Sequence, residues 1–129
     1  MKNLIIISVF LLSGLFAQVD YDTQIQPIWN SSCTICHTSN DTTGLNLTTG
    51  NSYNLLVDVA STGASYGGAL RVASGDTNSS VIWHKMNNSG TYGGVMPPSG
   101  MISASNRALV STWITELGSA DYKIGRAHV

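Results

Sequence analysis

The segment Cys33-Thr34-Ile35-Cys36-His37 constrains this chain more than any other feature. It holds the only two cysteines in 129 residues, with a histidine directly after them. Two cysteines in an exported chain ordinarily pair as one disulfide. A thioredoxin-like dithiol needs the pair to follow a strand in a βαβ setting, and no such alternation is present. A zinc site needs about four ligands. Beyond Cys33, Cys36 and His37 the body of the chain offers only His84, with no second ligand pair at zinc-finger spacing.

A further reading uses all three residues together. Cys-x-x-Cys-His is the attachment motif for c-type haem. Two intervening residues let one turn of chain carry both thiols to the two vinyl groups on one edge of the porphyrin. The next residue then falls beneath the iron, where an imidazole nitrogen can bind it. Covalent attachment also keeps the cofactor in place outside the cell membrane. The motif therefore predicts one haem c, bound through Cys33 and Cys36 and ligated by His37.

The rest of the chain agrees with an exported protein. Residues 1–17 have the layout of a signal peptide: Lys2, an apolar run from Leu4 to Phe16, then Ala17 before the polar Gln18-Val19-Asp20. The run is short for a bilayer span, which takes roughly 20 apolar residues; a retained anchor is the alternative. No cysteine lies near the cleavage point to take a lipid. The expected location is periplasmic or extracellular, at the cell surface or beyond, with no stable membrane insertion once the leader is removed. At the other end, Lys123-Ile124-Gly125-Arg126-Ala127-His128-Val129 resembles the in-frame translation of a sequencing-library adapter. Residues 123–129 are therefore read as a non-native tail, and His128 receives no role. One domain remains, over residues 18–122.

All seven acidic residues of the chain fall in that domain, against three bases, Arg71, Lys85 and Arg107. No basic patch exists to hold nucleic acid or anionic lipid. Only 10% of the chain is charged, and Ser, Thr, Asn and Gly supply most of its polarity. A domain of this size and composition has a modest core, and a buried cofactor would add to it.

Hydrophobic spacing predicts helices with long loops between them. Tyr21 to Ser32 reads as a first helix, with Asp22 as its N-cap and Tyr21, Ile25, Ile28 and Trp29 on one face. Pro27 sets the regular helix to begin near Gln26 or kinks it there. Ser39 to Thr43 is a polar loop, and Leu45 and Leu47 alternate with polar residues as an extended wall. Ser52 to Asp58 forms a short helix. Ser61 to Gly75 is irregular and Gly/Ser-rich, and a third helix follows from about Asn78 to Asn87. Asn88 to Gly100 is a second irregular loop, containing Met96-Pro97-Pro98. The last helix starts at a Ser103 cap. Leu109, Trp113 and Leu117 recur on it every four residues beside Val110 and Ile114, and a left-handed Gly118 ends it. The fold class is all-α: about four helices with long loops wrapped around one covalently bound haem.

His37 leaves one face of the iron open, and four residues compete for it: Met86, Met96, Met101 and His84. Pro97 and Pro98 stiffen the backbone after Met96, and Gly93-Gly94 permits a close turn before it, so Met96 is the expected sixth ligand. Met86 reads as core, Met101 as a gap filler, and His84 as exposed or facing a haem propionate. Arg71 and Lys85 are the candidates to meet the propionates. Thioether ligation favours Fe(II) and raises the reduction potential relative to two histidines. The metal ligands are therefore expected to be His37 and Met96.

These stretches, taken in order, resemble the small single-haem class I-like cytochrome c domains of exported bacterial proteins, close to the planctomycete-type cytochrome c group. The matching segments are Tyr21-Asp22-Thr23-Gln24-Ile25-Gln26-Pro27-Ile28, Gly44-Leu45-Asn46-Leu47, Ser74-Gly75-Asp76 before Ser80-Val81-Ile82, Thr91-Tyr92-Gly93-Gly94-Val95-Met96-Pro97-Pro98, and Trp113-Ile114. Thr77 stands where such proteins often have proline, and Asn106 where they often have an acid. The resemblance implies thioethers at Cys33 and Cys36, axial His37 and Met96, and terminal helices that bring Trp113 against the first helix. The function it implies is one-electron transfer between redox partner proteins by a monomer that is a carrier, not an enzyme. The alternative is the cytochrome module of a larger haem-containing oxidoreductase.

Overall fold

The structure, a computed structural model, describes residues 17–120 and 122. The leader expected over 1–17, apart from Ala17, and the tail expected over 123–129 lie outside the described residues. Among the described residues, no helix is long and apolar enough to cross a membrane.

The first helix begins at Asp20, two residues earlier than the expected Asp22 cap. Asp20 accepts a hydrogen bond from the Thr23 N–H at 2.8 Å, and the Gln24 carboxamide oxygen accepts one from the Asp20 N–H at 2.8 Å. This is the reciprocal logic of a capping box, displaced by one residue. Asp22 sits in the first turn, where a negative charge suits the positive end of the helix. Residues Tyr21–Ile25 form a π-helical turn that continues directly into α1, Gln26–Ser32. Pro27 lies where the π-helical turn gives way to α1, the place expected for the start of the regular helix.

Three further helices follow: α2, Ser52–Leu56; α3, Val81–Met86; and α4, Ala104–Glu116, with a 3₁₀ turn at Ala64–Tyr66 between α2 and α3. No strand occurs among the described residues, as an all-α chain requires. Isolated bridges pair Val57 with Val72 and Ala60 with Leu70, tying the segment after α2 to the one before α3. α3 starts later than Asn78 because Asp76 intercepts the chain. Its carboxylate accepts from the Ser79 N–H at 3.1 Å and the Ser79 hydroxyl at 2.7 Å, holding a turn instead of a helix.

α4 closes the core. Ser103 caps it by accepting from the Asn106 N–H at 3.2 Å, as expected. Val110, Trp113, Ile114 and Leu117 are buried, and Leu109 is half-buried. Trp113 packs against Tyr21 in the opening turn of the first helix, with ring centroids 5.0 Å apart. Its indole N–H donates to the Tyr122 hydroxyl at 3.0 Å. The N-terminal segment is fastened to the same helix, where the Val19 N–H donates to Glu116 at 2.8 Å.

The end of α4 departs from expectation. Gly118 does not adopt a positive φ. Its lack of a side chain serves packing instead, because a Cβ there would lie 2.8 Å from the Gly75 Cα. Gly75 has φ +84° and donates its N–H to the Ile114 carbonyl at 2.8 Å. Two backbones thus meet face to face, which only glycines permit.

A buried polar chain joins α1 to α2. The Trp29 indole N–H donates to the Tyr21 hydroxyl at 3.1 Å, and Tyr21 donates to Ser52 Oγ at 2.7 Å. Ser52 in turn donates to Gln26 Oε1, and Gln26 Nε2 donates to the Leu47 carbonyl at 2.9 Å. Every member finds a partner, and no buried side-chain polar atom among the described residues is left without one. Such a network, fully satisfied, fixes one arrangement of the elements it connects.

Candidate cofactor-binding site

The site grows out of the last turn of α1. The Cys33 N–H donates to the Trp29 carbonyl at 2.8 Å, and the Cys36 and His37 N–H groups both turn back to the Cys33 carbonyl, at 3.2 and 3.0 Å. One tight turn therefore carries all three residues of the motif. The Leu47 N–H donates to the His37 carbonyl at 2.9 Å. This bond fastens the wall expected at Leu45 and Leu47 to the histidine.

Cys33, His37 and Met96 line one cavity of about 440 Å³. That lies within the size range of small-molecule and cofactor sites. Trp29, Leu45, Leu47, Leu56, Ile82 and Ile102 contribute to a mainly apolar wall. Arg71 and Lys85 also line it, and among the described residues no carboxylate does. Cys36 is exposed and is not among the lining residues; Ile35 beside it is 90% exposed.

Both thiols are free. Burial pushes the Cys33 thiol up to about 11, so it stays protonated at neutral pH. Among the described residues no three His, Cys, Asp or Glu side chains converge as a metal site would require.

His37 is held by Asp41, in the polar loop expected from Ser39 to Thr43. Its Nδ1 lies 2.6 Å from Asp41 Oδ2. An ionised carboxylate can only accept, so Nδ1 carries a proton, and in the neutral ring the lone pair falls on Nε2. Thr43 steadies Asp41 in turn, donating its N–H to Oδ1 at 2.9 Å and its hydroxyl to Oδ2 at 2.6 Å. Desolvation raises the Asp41 carboxyl, but the bonds from Thr43 and His37 outweigh it and hold the group below its ordinary value. The i,i+4 spacing from His37 to Asp41 was a signal available in the sequence.

Met96 is set in place by the end of α3. Its N–H donates to the Lys85 carbonyl at 3.0 Å, and the Lys85 ammonium donates to the Gly94 carbonyl at 3.3 Å. Gly93 takes φ +83°, the turn expected before Met96. Met86 is 3% exposed, as a core residue should be, yet it reaches the cavity wall as well. Met101 is 54% exposed and fills no gap, contrary to expectation. His84 does not line the cavity; its Nδ1 meets Ser89 Oγ at 2.9 Å and its Nε2 the Asn78 carbonyl at 2.7 Å. Both ring nitrogens are engaged, which removes it as a ligand candidate.

Arg71 is buried to 7% exposure. It donates only to carbonyls, at 2.8 Å to Leu55, 3.3 Å to Thr43 and 3.4 Å to Gly44. Desolvation lowers its pKa, and the charge of Asp41 partly offsets this. A guanidinium remains charged in any protein setting, so the cavity holds a buried cation whose hydrogen bonds go to neutral groups. No protein-family model, no curated protein and no solved structure matches the chain.

Proposed function

We propose that this chain is an exported, single-haem c-type cytochrome domain of class I-like fold, which carries one electron at a time between redox partner proteins. One observation supports the reading above all others: a single cavity brings Met96 to the distant Cys33 and His37 of the motif, within an apolar wall that bears two cations and, among the described residues, no carboxylate. The donor set fits the group. A porphyrin is a large apolar body with two carboxylates, and this cavity offers apolar surface together with Arg71 and Lys85. Burying a charge is costly unless it is paired; Arg71 feels the charge of Asp41 but hydrogen-bonds only to carbonyls, and the propionates would supply anionic acceptors.

Bound haem c supplies the one-electron Fe(III)/Fe(II) couple. The chain's own residues do the rest. Cys33 and Cys36 would hold the haem covalently, and His37 Nε2 and Met96 Sδ would bind its iron. The Asp41 bond to Nδ1 fixes the imidazole tautomer that such ligation needs. The Lys85 carbonyl anchors the backbone of Met96, and the leucines and isoleucines keep water from the cofactor. If His37 and Met96 both held the iron, the group would supply electron transfer and not substrate binding, which favours a carrier over an oxygen- or peroxide-consuming enzyme. The leader pattern supports a periplasmic or extracellular location.

The test is co-expression with a haem-attachment system. A red protein whose haem resists acid–acetone extraction is expected, with a weak far-red Met-to-iron band in the oxidised form that disappears in Met96→Ala. Colourless protein or extractable haem overturns the reading. A band that persists in Met96→Ala overturns the sixth-ligand assignment.

A further inference from the structure

Resting on that reading, we infer that Asp41 is a positioning residue for His37, and that its charge holds the reduction potential of the bound iron below the value a neutral partner would give. The geometry is specific. Asp41 Oδ2 receives two bonds of 2.6 Å, one from His37 Nδ1–H and one from the Thr43 hydroxyl, and Oδ1 receives the Thr43 N–H at 2.9 Å. The side chains of His37 and Asp41 retain only 20% and 10% of their exposure, so solvent screens the pair weakly. A carboxylate accepting from Nδ1–H pulls the proton toward itself and makes the opposite ring nitrogen more electron-rich. A more basic axial nitrogen stabilises Fe(III) over Fe(II).

His37 and Met96 therefore act in opposite directions. The thioether favours Fe(II), and the Asp41-backed imidazole favours Fe(III). Thr43 attenuates the second effect, because its hydroxyl shares Oδ2 with the histidine and withdraws electron density from it. A residue that merely filled space would not impose opposite signs on substitutions at 41 and 43.

The experiment is redox titration of the haem-loaded protein, with the haem content of each variant measured separately. Asp41→Asn keeps the size and an acceptor oxygen but removes the charge. Its ferrous-to-ferric ratio at fixed ambient potential should rise by roughly tenfold, the lower end of what loss of an outer-shell partner produces. For one electron that is a midpoint about 59 mV higher. Asp41→Glu should recover part of the difference. Thr43→Val, which frees Oδ2 for His37 alone, should lower the midpoint. An unchanged or lowered midpoint in Asp41→Asn overturns the inference, as does a rise of equal size in Thr43→Val, which would mark loosened packing. If Asp41→Asn does not load haem, the reduced wild-type protein supplies the readout. The His37 Nδ1–H resonance should lie far downfield and exchange slowly with solvent, and a resonance at the ordinary imidazole position overturns the inference. A wild-type protein without covalent haem overturns the proposed function together with this one, whereas a red wild type with an indifferent Asp41→Asn overturns this one alone.

Discussion

The two sides of this molecule are built by different means. On one side, the opening turn, α1 and α4 pack Tyr21, Ile25, Trp29, Val110, Trp113 and Ile114 into a closed aromatic and aliphatic core, each 3% exposed or less. On the other, loops carry the cavity, and their shape comes from turns, positive-φ residues such as Asp58, Gly75 and Gly93, and side chains bonded to backbone. The helical side is held by burial of side chains against one another. The loop side leaves space beside a buried cation. The difference teaches where each task lies: the helices hold the Cys33 turn still, and the loops shape what that turn can hold.

The strongest way to break this comparison is Trp113→Ala. It removes a fully buried ring together with its contact to Tyr21 and its bond to Tyr122. The expected loss is about 3–5 kcal/mol, read as a lowered denaturation midpoint of the protein. A loss below about 1 kcal/mol would mean that the helical side is not the main source of stability.

Gly75→Ala tests the seam between the sides. The position combines φ +84° with a Cβ 3.0 Å from the Gly118 Cα. Left-handed strain in a non-glycine residue alone is worth about 1–3 kcal/mol, and the facing backbone cannot yield easily. Thermal unfolding should show the loss, and a variant as stable as the wild type would show that the loop moves freely against α4.

The smallest effect is expected at Asp76, which lies wholly on the loop side. Bonds from Ser79 lower its carboxyl below the ordinary 3.8. The folded state therefore binds this proton less readily than the unfolded chain. The contribution is present above pH 3.8 and fades as the pH falls below it. A melting temperature followed from pH 6 to pH 3 should decline less steeply in Asp76→Ala than in the wild type. Equal slopes would show that the turn before α3 contributes nothing to stability.

Much of the helical side was legible in the residues themselves. The Ser103 cap, the recurrence of Trp113 and its neighbours, and the break at Pro27 are local signals, and they produced α4 and α1 as expected. The misplacements were local competitions decided by side chains nearby: Asp20 outbid Asp22 as cap because Gln24 could answer it, and Asp76 stopped α3 from beginning at Asn78. The candidate residues stood out in the sequence where they are contiguous, in Cys33, Cys36 and His37, and in Met96 before two prolines; the structure brings Cys33, His37 and Met96 to one cavity and leaves Cys36 exposed. Asp41 was within reach of the sequence through its spacing from His37, but nothing local distinguishes a carboxylate that meets a ring nitrogen from one that meets water.

The sequence alone determined the turn that carries the two thiols and the histidine, because hydrogen bonds within five residues form it. It also determined which residue types could serve as ligands. Only the tertiary structure decided that Met96 shares a cavity with Cys33 and His37, that His84 and Met101 stay out of it, and that Arg71 is buried there. It also decided that Gly75 and Gly118 touch. These are contacts between segments tens of residues apart, fixed by how the buried faces pack together, and no short-range pattern encodes them.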